Sequence, residues 1–102
     1  MKERFMLPEE IEREAILRYG TINQTFMVFE EMSELQKEIC KHFRGENNKD
    51  HIAEEIADVR IMLEQLRIML DIERGTIDFY YHGKLNRLKE RMFNNPREGD
   101  ET

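Results

Sequence analysis

Residues 51–70, HIAEEIADVRIMLEQLRIML, decide how this chain folds. Ile52, Ile56, Val59, Met62, Leu63, Leu66, Met69 and Leu70 recur at intervals of three and four. That spacing is one face of an α-helix and not the alternation of a strand. At 3.6 residues per turn, Glu55 projects from inside this apolar arc, between Met62 and Leu66. Asp58 projects from its edge, beside Met69. Ionised side chains are seldom buried unless paired, and Arg60 and Arg67 project from the opposite side of the segment. Two carboxylates are therefore expected where core residues belong.

An earlier stretch, Glu30-Glu31-Met32-Ser33-Glu34, has the same character. Carboxylates three apart share a helix face, so Glu31 with Glu34, and Glu55 with Asp58, each aim in one direction. If the two helices face each other, four carboxylates meet. Gathered carboxylates repel and lose hydration, at several kcal/mol per ion unless a cation compensates. A hard divalent ion such as Mg²⁺ takes oxygen ligands and keeps waters for phosphate substrates.

The remaining chain supports an all-α fold of four helices. Pro8 suits a first helical turn, with Glu9 and Glu10 favourable to the helix dipole. This short helix should stop at Gly20. Thr21 is placed to cap a second helix, whose Ile22, Val28, Phe29, Met32, Ile39 and Phe43 form one broad stripe ending near Arg44. Gly45 to Lys49 reads as a polar loop. Asp50 is placed to cap the third helix, from His51 to about Leu70. Asp71 to Gly75 either continues that helix or turns, and a fourth helix follows over roughly Ile77–Phe93 with Ile77, Tyr80 or Tyr81, Leu85, Leu88 and Met92 as its inner face. Residues 1–93 are thus expected to be a single all-α domain, and Asn94 to Thr102, without apolar periodicity, a disordered tail. The architecture is a four-helix, bundle-like one, with a short first helix and three longer ones. Its wide apolar arcs on so few helices call for a homo-oligomer, a dimer or a tetramer.

Composition excludes several functions. With 102 residues and a net charge of −6, the chain lacks the basic surface a nucleic-acid polymer requires. The lone Cys40 permits no internal disulfide, no apolar run reaches 18 residues, and Met1 to Glu14 has no apolar block. A soluble, cytoplasmic protein is expected. Cys40 reads as a core or border residue, and the methionines as adaptable core filling. His42, His51 and His82 lack zinc-type partners and read as surface or cap residues.

Taken together, the acidic motifs Glu30, Glu31 and Glu34, then Glu55 and Asp58, with their flanking apolar residues, resemble the MazG-like all-α nucleoside triphosphate pyrophosphohydrolases. The resemblance extends over roughly Ile16 to Met92. It implies hydrolysis of a nucleoside triphosphate to the monophosphate and pyrophosphate with Mg²⁺ or Mn²⁺. Glu31, Glu34, Glu55 and Asp58 would then be metal ligands, Glu30 a residue orienting water, and Glu38 a ligand to a second ion. Lys84 and Arg87, with Arg91 a turn further, match a basic position contacting phosphates, and Gln24 a position lining the nucleotide pocket. The alternative is a non-catalytic helical oligomer that binds a nucleotide or protein partner around a structural metal centre. A plain helical interaction module without metal is the third reading.

Overall fold

A computed structural model describes residues 4–94, which form four α-helices and, among these residues, no strand. They are α1 (Pro8–Tyr19), α2 (Thr21–Phe43), α3 (Lys49–Met69) and α4 (Arg74–Asn94). Of the tail expected from Asn94 onward, Asn94 itself is the last residue of α4, and the rest lies outside the described residues. The chain divides into two compact units, Met1–Asp71 and Ile72–Thr102.

In the first unit, α1 begins at Pro8, and the Glu10 carboxylate accepts the Leu7 N–H at 2.8 Å. Gly20 ends it: its φ of 88° is open to glycine and strained for other residues, and its N–H closes on the Ile16 carbonyl at 2.9 Å. Because Gly20 is the only residue between α1 and α2, it occupies the cap position expected for Thr21. Thr21 is instead helical, with its carbonyl accepting from Thr25 Oγ1 at 2.8 Å. A five-residue connection, with Gly45 at φ 101°, returns the chain into α3. So short a link makes α2 and α3 antiparallel neighbours, and the residues that meet, Gln24 with Gln65 and Glu38 with Asn48, follow that register.

The start of α3 differs from expectation. The helix begins at Lys49 and its cap position is Asn48, not Asp50. Asn48 makes no cap bond because its side chain is drawn into the α2–α3 seam, where Nδ2 donates to the Glu38 carbonyl at 2.8 Å and to the Glu38 carboxylate at 2.9 Å. At the other end the ambiguous segment is a turn, with Asp71 at φ 55°. Within the second unit, α4 starts at Arg74 and runs through Gly83, and its expected inner residues Ile77, Tyr80, Leu85, Leu88 and Met92 are exposed.

The seam of the first unit is unusually polar. Among the described residues only Val28 and Met62 are buried hydrophobics, against five buried polar residues: Glu12, Gln24, Asn48, Gln65 and Arg67. The broad stripe expected on α2 is therefore largely uncovered, with Ile22 at 75%, Phe29 at 61% and Phe43 at 84% exposure. The α3 arc splits in two. Ile52, Val59, Leu66 and Met69 are half-buried and Met62 is buried, whereas Ile56, Leu63 and Leu70 lie outward. Cys40 is exposed and not a core residue. Arg67 is buried, with its Nη2 2.9 Å from Glu9 of α1 and 3.0 Å from Glu64.

Candidate metal centre

Three levels of polar side chains cross the α2–α3 seam. They come from Gln24, Glu31 and Glu38, spaced seven apart on α2, each about 10 Å along the helix from the next at 1.5 Å rise per residue. At the middle level, Glu31 of α2 meets Glu55 and Asp58 of α3, with one carboxylate oxygen from each within 4.8 Å of the other two. All three are half-buried.

The electrostatics of this level are unbalanced. No ion pair to Lys or Arg is formed by any of the three among the described residues, and Glu55 Oε2 is buried without a hydrogen-bond partner. Burial, followed by the charges of Asp58 and Glu55, pushes the Glu31 carboxyl from its ordinary 4.5 up to about 6. A proton on Glu31 is thus the chain's own means of relieving the cluster. A divalent cation is the stronger one: oxygen-only donors, converging from two helices with one orphaned oxygen, fit a hard ion.

The pH consequence has a definite sign. Because the folded chain holds the Glu31 proton more tightly than the unfolded chain, this group's contribution to stability is complete below about pH 4.5 and is lost as pH rises through about 6. Without divalent cations, the melting temperature of the wild type should therefore fall relative to that of Glu31→Gln between these values. Thermal scans of the two proteins across the pH range check this. A difference that stays constant or grows in favour of the wild type would contradict it.

The other residues singled out in the sequence have different surroundings. Glu34 is outside the mutually close set and pairs with Lys37 at 3.3 Å on the surface. Glu30 is exposed and lines an open groove with Tyr19, Asn23, Gln24, Phe26 and Met27. Glu38 lies at the hairpin end, where hydrogen bonds from Asn48 and then Lys41 hold its carboxyl below the usual range. Lys84, Arg87 and Arg91 are exposed on α4, in the second unit. Gln24 is buried, donating to Gln65 at 2.6 Å, while Gln65 donates to Glu12 at 2.8 Å.

This Glu12–Gln65–Gln24 relay was not anticipated from sequence. A signal for it exists: Gln65 stands seven residues after Asp58, on the same edge of the α3 arc, just as Gln24 stands seven before Glu31. Two polar positions at equal spacing from facing carboxylates mark a second polar level in the same seam. Glu12 carries no such mark, because α1 has no comparable apolar stripe against which a buried acid stands out.

No protein-family model matches the chain, and neither a curated protein nor a solved structure shows significant similarity to it.

Proposed function

We propose that this protein is a Mg²⁺-dependent nucleoside triphosphate pyrophosphohydrolase of MazG-like type, with Mn²⁺ an effective substitute, which converts an NTP or dNTP into the monophosphate and pyrophosphate. The observation that carries the proposal is the meeting of Glu31, Glu55 and Asp58 with no ion pair to a basic side chain among the described residues. These three residues would hold the cation, which when bound supplies charge neutralisation for phosphate oxygens. Glu34 completes the ligand set, since an exposed pair such as Glu34–Lys37 contributes little in water and does not withhold the carboxylate. Glu30, exposed and adjacent to Glu31 in sequence, would orient the attacking water. The basic residues that the resemblance assigns to the phosphates, Lys84, Arg87 and Arg91, are exposed on α4. A second ion at Glu38 has to displace Asn48 and Lys41 from that carboxylate.

The active form in this proposal is a cytoplasmic homo-oligomer, a dimer or tetramer in which copies complete a helical bundle. Supporting it, Ile56, Leu63 and Leu70 on α3 are 47%, 46% and 61% exposed at seven-residue spacing, and α2 exposes Ile22, Phe26, Phe29 and Phe43. An uncovered apolar surface of this extent supports a contact between copies. Sedimentation equilibrium should give a multiple of 12.4 kDa, and Leu63→Glu should shift the mass toward the monomer. A wild-type monomer at micromolar concentration would refute the assembly.

Incubation with a panel of ribo- and deoxyribonucleoside triphosphates plus Mg²⁺ tests the reaction. Monophosphate and pyrophosphate should appear in equal amounts. Cation-dependent thermal stabilisation without pyrophosphate from any nucleotide would favour a non-catalytic binder, and absence of both would leave a plain helical module.

A further inference from the structure

The fourth helix carries an apolar ridge with basic borders. At about 100° per residue, Ile77, Tyr81, Leu85, Leu88 and Met92 fall within one arc of α4, and all five are exposed. From Tyr81 onward they follow the alternating four- and three-residue spacing by which helices pair. Lys84 and Arg91 stand just beyond one edge of the arc, and His82 and Lys89 beyond the other. A second α4 laid on this ridge meets like charge in either direction. In a parallel pair, Lys84 of one helix faces Lys89 of the other; in an antiparallel pair, each border faces its own copy. The ridge therefore calls for a surface that is apolar at its centre and acidic beside it.

Such a surface lies at the start of α2. Tyr19, Phe26 and Met27 line an open groove of about 490 Å³, together with Asn23, Gln24 and Glu30. The rings of Tyr19 and Phe26 are exposed, and Phe26 is part of the apolar α2 surface that a second copy is proposed to cover. Glu30 follows Phe26 by four residues and so shares its helix face. Charge is one-sided on both elements. From Thr21 to Gln36, α2 carries Glu30, Glu31 and Glu34 and neither Lys nor Arg, whereas Lys84 to Arg91 of α4 holds four basic residues and one acid. Ridge and groove thus match in apolar character, and their borders are of opposite sign.

We propose that α4 of each copy seats its Tyr81–Met92 ridge in this groove of a second copy, with Lys84 and Arg91 set toward Glu30. The inference rests on the reading of the protein as a homo-oligomer and does not depend on the hydrolysis. The contact is reciprocal: each copy gives one helix and receives one, which closes a dimer. Surfaces left uncovered within one chain are then covered by the exchange.

Sedimentation of two variants tests this at low salt, where exposed charges are least screened. One variant combines Lys84→Glu with Arg91→Glu, and the other is Glu30→Lys. All three positions are exposed, and circular dichroism checks that helix content is kept. Either variant alone should raise the dissociation constant of the assembly about tenfold or more, because like charges then meet across the contact. An equimolar mixture should regain association as a mixed assembly. In it the acidified α4 of one chain meets the groove made basic on the other, and the two unaltered surfaces meet as in the wild type. Variants that associate like the wild type would overturn the inference while leaving the assembly standing. So would a mixture that recovers nothing, the result expected if α4 engages its own chain. A wild-type monomer refutes the assembly and the inference with it. Co-sedimentation of the wild type with phosphatidylserine vesicles, abolished by Lys84→Glu with Arg91→Glu while self-association is unchanged, would assign the ridge to a lipid surface and overturn the exchange.

Discussion

Glu55→Gln is expected to raise the melting temperature of the cation-free protein by about 2–5 °C while lowering pyrophosphate release on the order of a hundredfold. The two effects have one origin. In the wild type, Glu55 contributes a buried, unpartnered oxygen to a group of three carboxylates lying within 4.8 Å of one another. An amide of nearly the same shape removes one negative charge, and its NH₂ can donate to Glu31 or Asp58. The apo fold gains from both changes. The cation loses a charged ligand, and the phosphates lose the neutralisation that depends on it. Millimolar Mg²⁺ should therefore stabilise the wild type by mass action and have little effect on Glu55→Gln. Thermal scans with and without Mg²⁺, read beside a pyrophosphate assay, decide the matter. If Glu55→Gln destabilises the apo protein, the carboxylate is structural and the metal centre is refuted.

Gln65→Ala should act in the opposite direction, costing about 2–5 kcal/mol, because it leaves two buried polar groups without partners. Gln65 is 3% exposed and holds both Glu12 and Gln24. Without it, the Glu12 carboxylate loses its amide donor in a site where burial already pushes its carboxyl above the ordinary value, and the hydrogen bond from Gln65 is what opposes that rise. The cavity left by the side chain adds to the loss. Denaturation at matched protein concentration measures the cost, which must be compared at one association state. A loss below about 1 kcal/mol, the worth of an ordinary surface change, would mean that water replaces the amide and that the relay does not orient Gln24.

These two variants separate the levels of one seam. Glu55 lies at a level where stability is sacrificed to gathered charge, and Gln65 at a level where its amide bonds both Glu12 and Gln24. The levels are seven residues apart on each helix, Gln24 to Glu31 on α2 and Asp58 to Gln65 on α3, so helical geometry places both levels alike and side-chain chemistry makes them different.

Much of this was legible from residues 51–70. The three-and-four recurrence of apolar residues required a helix, and the position of Glu55 and Asp58 within that arc required them to face the same neighbour as the core. Helix ends were legible where backbone chemistry is local, as at Pro8 and Gly20, whose conformations need no partner elsewhere in the chain. They were misread at Asn48, where a contact with Glu38 ten residues earlier outweighed the local tendency to cap. The apolar stripes were legible as stripes, yet periodicity cannot say which part of a stripe a given neighbour covers. In this chain α2 and α3 cover one side and leave Ile56, Leu63 and Leu70 outward.

By itself, then, the sequence determined four helices, the helix that carries each acid and the face from which each acid projects, because all of these follow from the 3.6-residue period within a single segment. Only the tertiary structure decided which acids meet. It joined Glu31 to Glu55 and Asp58, paired Glu34 with Lys37, and tied Glu12 through Gln65 to Gln24. Those choices depend on the antiparallel register of α2 against α3 and on where α1 lies across them, and register is a relation between segments that no single helical period contains.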